Sequence, residues 1–473
     1  MDVSIAIIGS GFAGLGMALR LRPAGIEDFV VLERGDGVGG TWHYNTYPGC
    51  ACDVPSHLYS FSFAPNPDWT RTYSRQPEIR AYLERVAAGV ADKVKLRCEV
   101  TRAQWDGSRW NLDTADGLVR AQYLVAGTGP LVEPKLPAFP GLDTFAGITM
   151  HSARWDHDVD LKSLRVASVG TGASAIQYVP RIAPDAERLY VLQRTAPWVM
   201  PHSARPISAF ERRLFRRFPP LQRALRGGIY ALREALVLGM VKQPGAMKLL
   251  ERAGRKHMQA ALTDPELIAK ATPDYTVGCK RILPSNEWYP ALARENVELI
   301  TDGVREVRAH SVVLDSGREL EVDALIFGTG FQVLDMPVGR LVRDQGGRTL
   351  AEAWNGSPRA HLGVTVPGFP NLFVLMGPNT GLGHTSVVYM IESQIAYVLD
   401  ALRTGAATIE VRPEAEARFH AEVQRRMRGT IWSTGCRSWY QDASGGNPTL
   451  WPDWTWRYRR RTAHFKEEEY VIT

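Results

Sequence analysis

Short apolar runs alternate with helical patterns along most of this chain. Val3 to Ile8 is an unbroken apolar run of strand length, and a helical pattern follows through Leu21 with Leu15, Ala18 and Leu19 on one face. A second apolar strand, Phe29 to Leu32, closes the unit. The same rhythm returns later: Arg165 to Val169 reads as a strand, a helix runs through Ile182, and Leu189 to Leu192 reads as a strand again. Between the two units, residues 76–90 carry Ile79, Leu83 and Val86 on one helical face, and 94–125 read as several strands. Tyr123 to Ala126 then runs into Gly127-Thr128-Gly129-Pro130, a strand end that again meets glycines. Strands that are apolar throughout need a sheet covered on both faces, so the pattern predicts an α/β chain.

The turns between these elements carry chemistry. The first strand ends at Gly9-Ser10-Gly11-Phe12-Ala13-Gly14, and Glu33 stands at the end of the second strand. Strand, GxGxxG, helix, strand and acid in that order form a dinucleotide-binding unit. Gly9 permits the tight turn, Gly11 lets backbone approach a pyrophosphate, and Gly14 lets the helix pack on the strand. The helix N-terminus offers unpaired N–H groups to phosphate, and the Glu33 carboxylate suits a ribose diol. The second unit repeats the design with Gly170-Thr171-Gly172-Ala173-Ser174-Ala175. Arg194 lies 24 residues after Gly170, as Glu33 lies 24 residues after Gly9. The sign of the charge differs. Glu33 repels a 2′-phosphate, which points to FAD or NAD in the first unit; Arg194 attracts one, which points to NADPH in the second. Two Rossmann-like domains with a helical insertion in the second are therefore expected.

Composition adds three limits. The net charge of +6 is accounted for by sites for anionic cofactors, and no nucleic-acid partner is expected. Five cysteines, few and odd in number, suit a reducing cytosol better than a disulfide framework, so a cytoplasmic protein is expected. Cys50 and Cys52 have the wrong spacing for a CxxC redox pair or a zinc knuckle, and no metal site is expected. No signal peptide or membrane-spanning run is visible.

The stretch between the two units is the most specific. Phe145-x-Gly147-x-x-x-His151-x-x-x-Trp155-Asp156 resembles the fingerprint of type I Baeyer–Villiger monooxygenases, FxGxxxHxxxW(P/D), at every specified position. The resemblance extends over nearly the whole chain. Gly37-Val38-Gly39-Gly40-Thr41-Trp42 and Tyr47-Pro48-Gly49-x-x-Cys52-Asp53 resemble family segments at the flavin. Cys279-Lys280-Arg281 resembles the segment with the active-site arginine, Asp323 to Phe331 the returning strand and linker, and Gly377 to His384 the loop over the flavin ring. Thr46, where an arginine is usual, and Pro55, where an acid is common, depart from the pattern, as do Ala173 and Ala175.

The resemblance implies an FAD domain in two parts, residues 1–140 and 335–473, and an NADPH domain over 141–334 with its helical region at about 205–270. It implies an enzyme that consumes NADPH and O2 and inserts one oxygen beside a ketone carbonyl through a C4a-peroxyflavin, giving an ester or lactone. Arg281 is then the catalytic cation, held by Asp53, while His151 couples the domains. The FAD contacts expected are Gly9, Gly11, Gly14, Glu33, Arg34, Gly40, Thr41, Trp42, Asp53, Tyr59, Val100 and Asn379. Those for NADPH are Gly170, Gly172, Ser174, Gln177, Arg194, Thr195 and Lys280. Trp451 is offered as a ribose contact but reads better as a core tryptophan. A sulfur- or nitrogen-oxygenating flavin enzyme is the nearest rival, and an NADPH-sensing flavoprotein without turnover a more distant one. For Arg212, Arg213, Arg216, Arg217, Arg223 and Arg226 a solvated helical face is expected, with a membrane-surface contact or an oligomer interface left open. The particular ketone and the oligomeric state are not legible.

Overall fold

The computed structural model describes residues 1–436 and 438–473. The chain begins β1 (Asp2–Ile8), α1 (Phe12–Leu21), β2 (Phe29–Leu32), α2 (Thr41–Tyr44) and α3 (Gln76–Ala87). Strands β3 (Val94–Lys95), β4 (Val100–Trp105), β5 (Trp110–Thr114) and β6 (Gly117–Ala126) follow. The second unit is β7 (Ile148–His151), β8 (Arg165–Val169), α4 (Ala175–Ile182) and β9 (Arg188–Leu192), with β10 (Val199–Met200) after it. The helices α5 (Ala209–Arg217), α6 (Pro219–Glu234) and α7 (Lys248–Ala261) come next. Then come β11 (Leu283–Pro284), β12 (Val297–Ile300), β13 (Val304–Arg308), β14 (Ser311–Leu314), β15 (Glu319–Glu321), β16 (Ala324–Phe327), β17 (Val342–Arg343) and β18 (Leu372–Val374).

Two large sheets organise these elements. The first runs β17-β4-β5-β6-β1-β2-β3, and β18 pairs with the end of β6. Ile5 and Ile7 of β1 face one core cluster with α1 and the helix Val387–Leu402, while Ala6 and Ile8 face another containing Trp105 and Trp110. Burial on both faces is why β1 is apolar throughout. The second sheet, β12-β9-β8-β16-β7, is wholly parallel and draws its strands from residues 148–327. Ligand sites in such sheets lie beyond the carboxyl ends of the strands, where both glycine turns stand.

Two sequence expectations are corrected by the fold. Cys279 and Cys436 are joined as a disulfide, with Cα atoms 6.4 Å apart across a separation of 157 residues. An odd count with no local pairing signal hid a pair made only by tertiary packing; Cys50, Cys52 and Cys98 are free and buried. The second correction concerns the basic helical region. Arg226 lies inward and donates to the carbonyls of His57 and Ser60 at 2.7 and 2.8 Å, so it does not belong to a solvated face. The outward face of α6 is apolar: Leu221, Leu225 and Leu232 are all exposed.

Candidate active site

The first glycine turn is built for close approach. A Cβ on Gly14 would overlap the Gly9 carbonyl oxygen, and a Cβ on Gly40 would lie 3.0 Å from the Gly11 Cα. Gly11 begins α1 with no capping side chain, so the first-turn N–H groups are left for another acceptor. Thr41 and Trp42 start α2 directly beyond Gly40. The Trp42 indole donates to the Tyr59 hydroxyl at 3.0 Å, and Tyr59 meets Phe12 edge to face at 5.0 Å. Glu33 is buried and accepts from the Ser10 N–H at 2.8 Å, the Ser10 hydroxyl at 2.7 Å and the Gly35 N–H at 2.8 Å. Arg34 pairs with Glu133 at 2.7 Å, and Val100 lies buried two residues beyond Cys98, whose N–H donates to the Glu33 carbonyl. The uncapped helix, the paired glycines and the acid at the strand end fit an adenine dinucleotide.

The second turn differs at its rim. Gly170 has φ +100°, and α4 begins at Ser174 with no capping side chain. Arg194 is exposed, and Thr195 lies beside it. Burial, and then the charge of Arg194, lower the Lys280 ammonium below its ordinary value. Neither cation has an acidic partner among the described residues, and Lys280 lies 4.7 Å above the Tyr275 ring. Two neighbouring cations without an ion-pair partner among the described residues fit a phosphate, although the Asp274 charge acts on Lys280 from farther off. Gln177, in contrast, is engaged within the protein: it accepts from the Tyr47 hydroxyl at 3.0 Å and donates to the Ala51 carbonyl at 3.1 Å.

The fingerprint stretch lies where the two connections between the sheets meet. Lys135 donates to the Gly330 carbonyl at 2.9 Å and Gln332 to that of Glu133 at 3.0 Å, so the connections pair along their length. His151 ends β7 beside them, 6.0 Å from the Phe331 ring. Its Nδ1 accepts from the Ala153 N–H at 3.1 Å, which places the ring proton on Nε2, facing Gly330. Burial pushes His151 down to about 4, so the ring is neutral. Trp155 packs on Tyr178, Arg154 stacks over Tyr44 at 4.8 Å, and His157 bonds Thr46 at 2.8 Å. Thr46, the departure from the family pattern, is thus a contact of this clasp.

Asp53 and Arg281, 228 residues apart, meet in the wall of a cavity of about 270 Å³. The Arg281 Nε and Nη2 donate to the two Asp53 carboxylate oxygens at 2.6 Å each. Burial pushes the Asp53 carboxyl up, yet the Arg281 charge and hydrogen bonds outweigh it and hold it below its ordinary range. The Asp53 charge in turn raises Arg281. Pairing of β10 with β11, with Met200 opposite Pro284, anchors the loop that carries Arg281, and the disulfide at Cys279 ties the same loop to the chain near Tyr440. Apolar side chains of Met200, Leu236, Met240, Leu250, Ile282 and Leu382 share the lining of the cavity with polar Tyr73, His202, Ser203, Arg233, His384 and Thr385.

Several site groups were not found in the sequence. Arg233 lines the cavity and donates to the Asp53 carbonyl at 2.9 Å, and Tyr440 is buried close to Arg281. Glu234 accepts from Thr455 through both backbone and hydroxyl, at 2.5 and 2.8 Å, and from His384 at 3.3 Å. No motif marks these residues; a charged pair on a helix facing a buried loop was the only signal. Asn379 donates to the carbonyls of Asn447 at 2.8 Å and Leu450 at 3.1 Å, so its side chain pins the 377–385 loop to the tail. Trp451 is buried in the core against Phe419 and Tyr458.

Comparison with known proteins follows the same outline. Residues 6–215 match the family model described as pyridine nucleotide-disulphide oxidoreductase. A Baeyer–Villiger monooxygenase of Streptomyces coelicolor is 52% identical over 99% of this chain and 92% of its own length. The closed crystal structure of cyclohexanone monooxygenase superposes with a TM-score of 0.89 at 29% identity, covering 100% of this chain and 99% of the other. The crystal structure of OTEMO in complex with FAD and NADP gives 0.89 at 25% identity with the same coverage. The chain belongs to the Baeyer–Villiger monooxygenases, flavin enzymes with FAD and NADP domains.

Proposed function

We propose that this enzyme inserts one atom of O2 beside the carbonyl of a largely apolar ketone, giving an ester or lactone. When bound, FAD and NADPH supply the electrons and the oxygen activation. The chain supplies placement and charge. Arg194 and Lys280 hold the 2′-phosphate and set NADPH above NADH. Asp53 fixes the plane of Arg281 by a bidentate pair through Nε and Nη2, which leaves Nη1 unused by that pair. That guanidinium stabilises the negative charge that develops on the substrate oxygen as the carbonyl is attacked. A permanently charged group suits this role, because an ammonium can lose its proton. The aliphatic part of the lining packs the substrate's hydrocarbon, and the Arg281 guanidinium receives its carbonyl as the polar handle.

The observation that carries this reading is the Asp53–Arg281 pair in the cavity wall, with half-buried Arg281 open on the cavity side. The test is product analysis with holoenzyme, NADPH and a panel of ketones and sulfides. Esters or lactones from ketones are expected, lost in Arg281→Ala. Sulfoxides without any ester would replace this reading with heteroatom oxygenation.

A further inference from the structure

Helix α6 is amphipathic in the inverted sense. Its inward face packs Ile229 and Tyr230 on the core and otherwise carries bonded polar side chains. Gln222 donates to the Asn66 carbonyl at 2.7 Å, Arg226 to three carbonyls of the 57–60 segment, Arg233 to Asp53, and Glu234 receives Thr455. Its outward face is an apolar stripe at helical spacing: Leu221, Leu225, Gly228, Leu232 and Ala235, all exposed. Leu232 is 75% exposed, and the neighbouring Phe210 and Phe218 are 73% and 52% exposed. A solvated helix normally turns such residues inward, and a contiguous apolar patch of this kind marks a docking surface.

Charge identifies the occupant. Residues 209–235 hold seven arginines and two acids. Both acids are engaged: Glu211 caps α5 and pairs with Arg205, and Glu234 is buried. Arg213, Arg217 and Arg223 are exposed and form no ion pair among the described residues. A second copy docked by the same face would set these arginines against their own equivalents, with no acid to meet them. A surface of anionic lipid supplies phosphate to the arginines and an acyl boundary to the leucines.

We infer that the α5–α6 face seats the enzyme on an anionic membrane surface, with its apolar stripe at the headgroup boundary. No helix among the described residues is long and apolar enough to cross a membrane, so the contact is interfacial. It also brings the helix that walls the cavity, through Arg233, to the lipid.

The test is co-sedimentation of holoenzyme with vesicles, either phosphatidylcholine alone or with about one quarter phosphatidylglycerol. Binding to the mixed vesicles only is expected, weakened at least about tenfold by 0.5 M salt. The Leu225→Glu/Leu232→Glu variant should lose binding by a similar factor while retaining its flavin and its rate of NADPH oxidation. Arg213→Gln/Arg217→Gln/Arg223→Gln should weaken it independently. Failure to bind mixed vesicles overturns the inference, as does binding that these variants leave unchanged. A concentration-dependent dimer, dissolved by the leucine variant, would assign the face to a second copy instead.

Discussion

The two glycine turns share one backbone design and differ in how their terminal charge is held. Glu33 is buried and accepts three hydrogen bonds from its own chain. Arg194 is exposed, forms no ion pair among the described residues, and stands close enough to Lys280 for the two charges to act on each other. The charge at the first turn is therefore satisfied within the fold, while the charge at the second is left open to solvent and to a ligand. One acid and one cation at matching positions have become different kinds of residue, because one faces protein donors and the other faces solvent.

The largest effect is expected where the two halves meet. Arg281→Ala removes the cation contributed by the second half and leaves Asp53 buried without its partner. Loss of a charge-stabilising donor costs about 3–4 kcal/mol of barrier, roughly a factor of 10² to 10³ in kcat. Stopped-flow flavin reduction and ester yield, measured together, should show the yield lost and the flavin still bound. Glu33→Ala strikes the closed turn and should lower stability by about 3 kcal/mol, because buried N–H groups lose a charged acceptor. Urea denaturation and flavin content would check this; unchanged stability with lost flavin would mean that the acid serves the cofactor alone.

The clasp between the halves titrates. His151 is lowered to about 4, whereas the unfolded ring keeps its ordinary value near 6.5. Between these values the unfolded state binds the extra proton, so stability falls as the pH drops from about 6.5 to 4 and levels off below. The full span is about 3 kcal/mol. Denaturation midpoints across this range should flatten in His151→Asn. The smallest effect belongs to the open turn: Arg194→Ala should raise KM for NADPH about tenfold, leave NADH nearly unchanged and spare the melting temperature. An equal loss for both nucleotides would remove the phosphate role.

Much of this was legible in the sequence because it depends on neighbours along the chain. The strand and helix limits around both glycine turns follow from continuous apolar runs and local turn chemistry, and α1 ends at Leu21 as its pattern predicts. The linker motif was legible for the same reason: twelve consecutive residues carry it. Polar side chains were harder to place. Gln177 and Asn379 are themselves among the expected cofactor contacts, and only the fold shows their amides already bonded to protein carbonyls. Arg226 and Arg233 look like their solvated neighbours in sequence, yet they face inward because the 53–66 segment presents unpaired carbonyls to that side of α6.

The sequence by itself determined the two nucleotide-binding units, the opposite charges at their rims, and the family to which the linker belongs. Each rests on spacing within about thirty residues, where backbone geometry converts sequence distance into position. Tertiary structure alone decided that Asp53 grips Arg281, that Cys279 joins Cys436, and that the leucines of α6 face outward. These depend on segments from 53 to 436 arriving at one place, and a side chain's environment there is set by what packs against it.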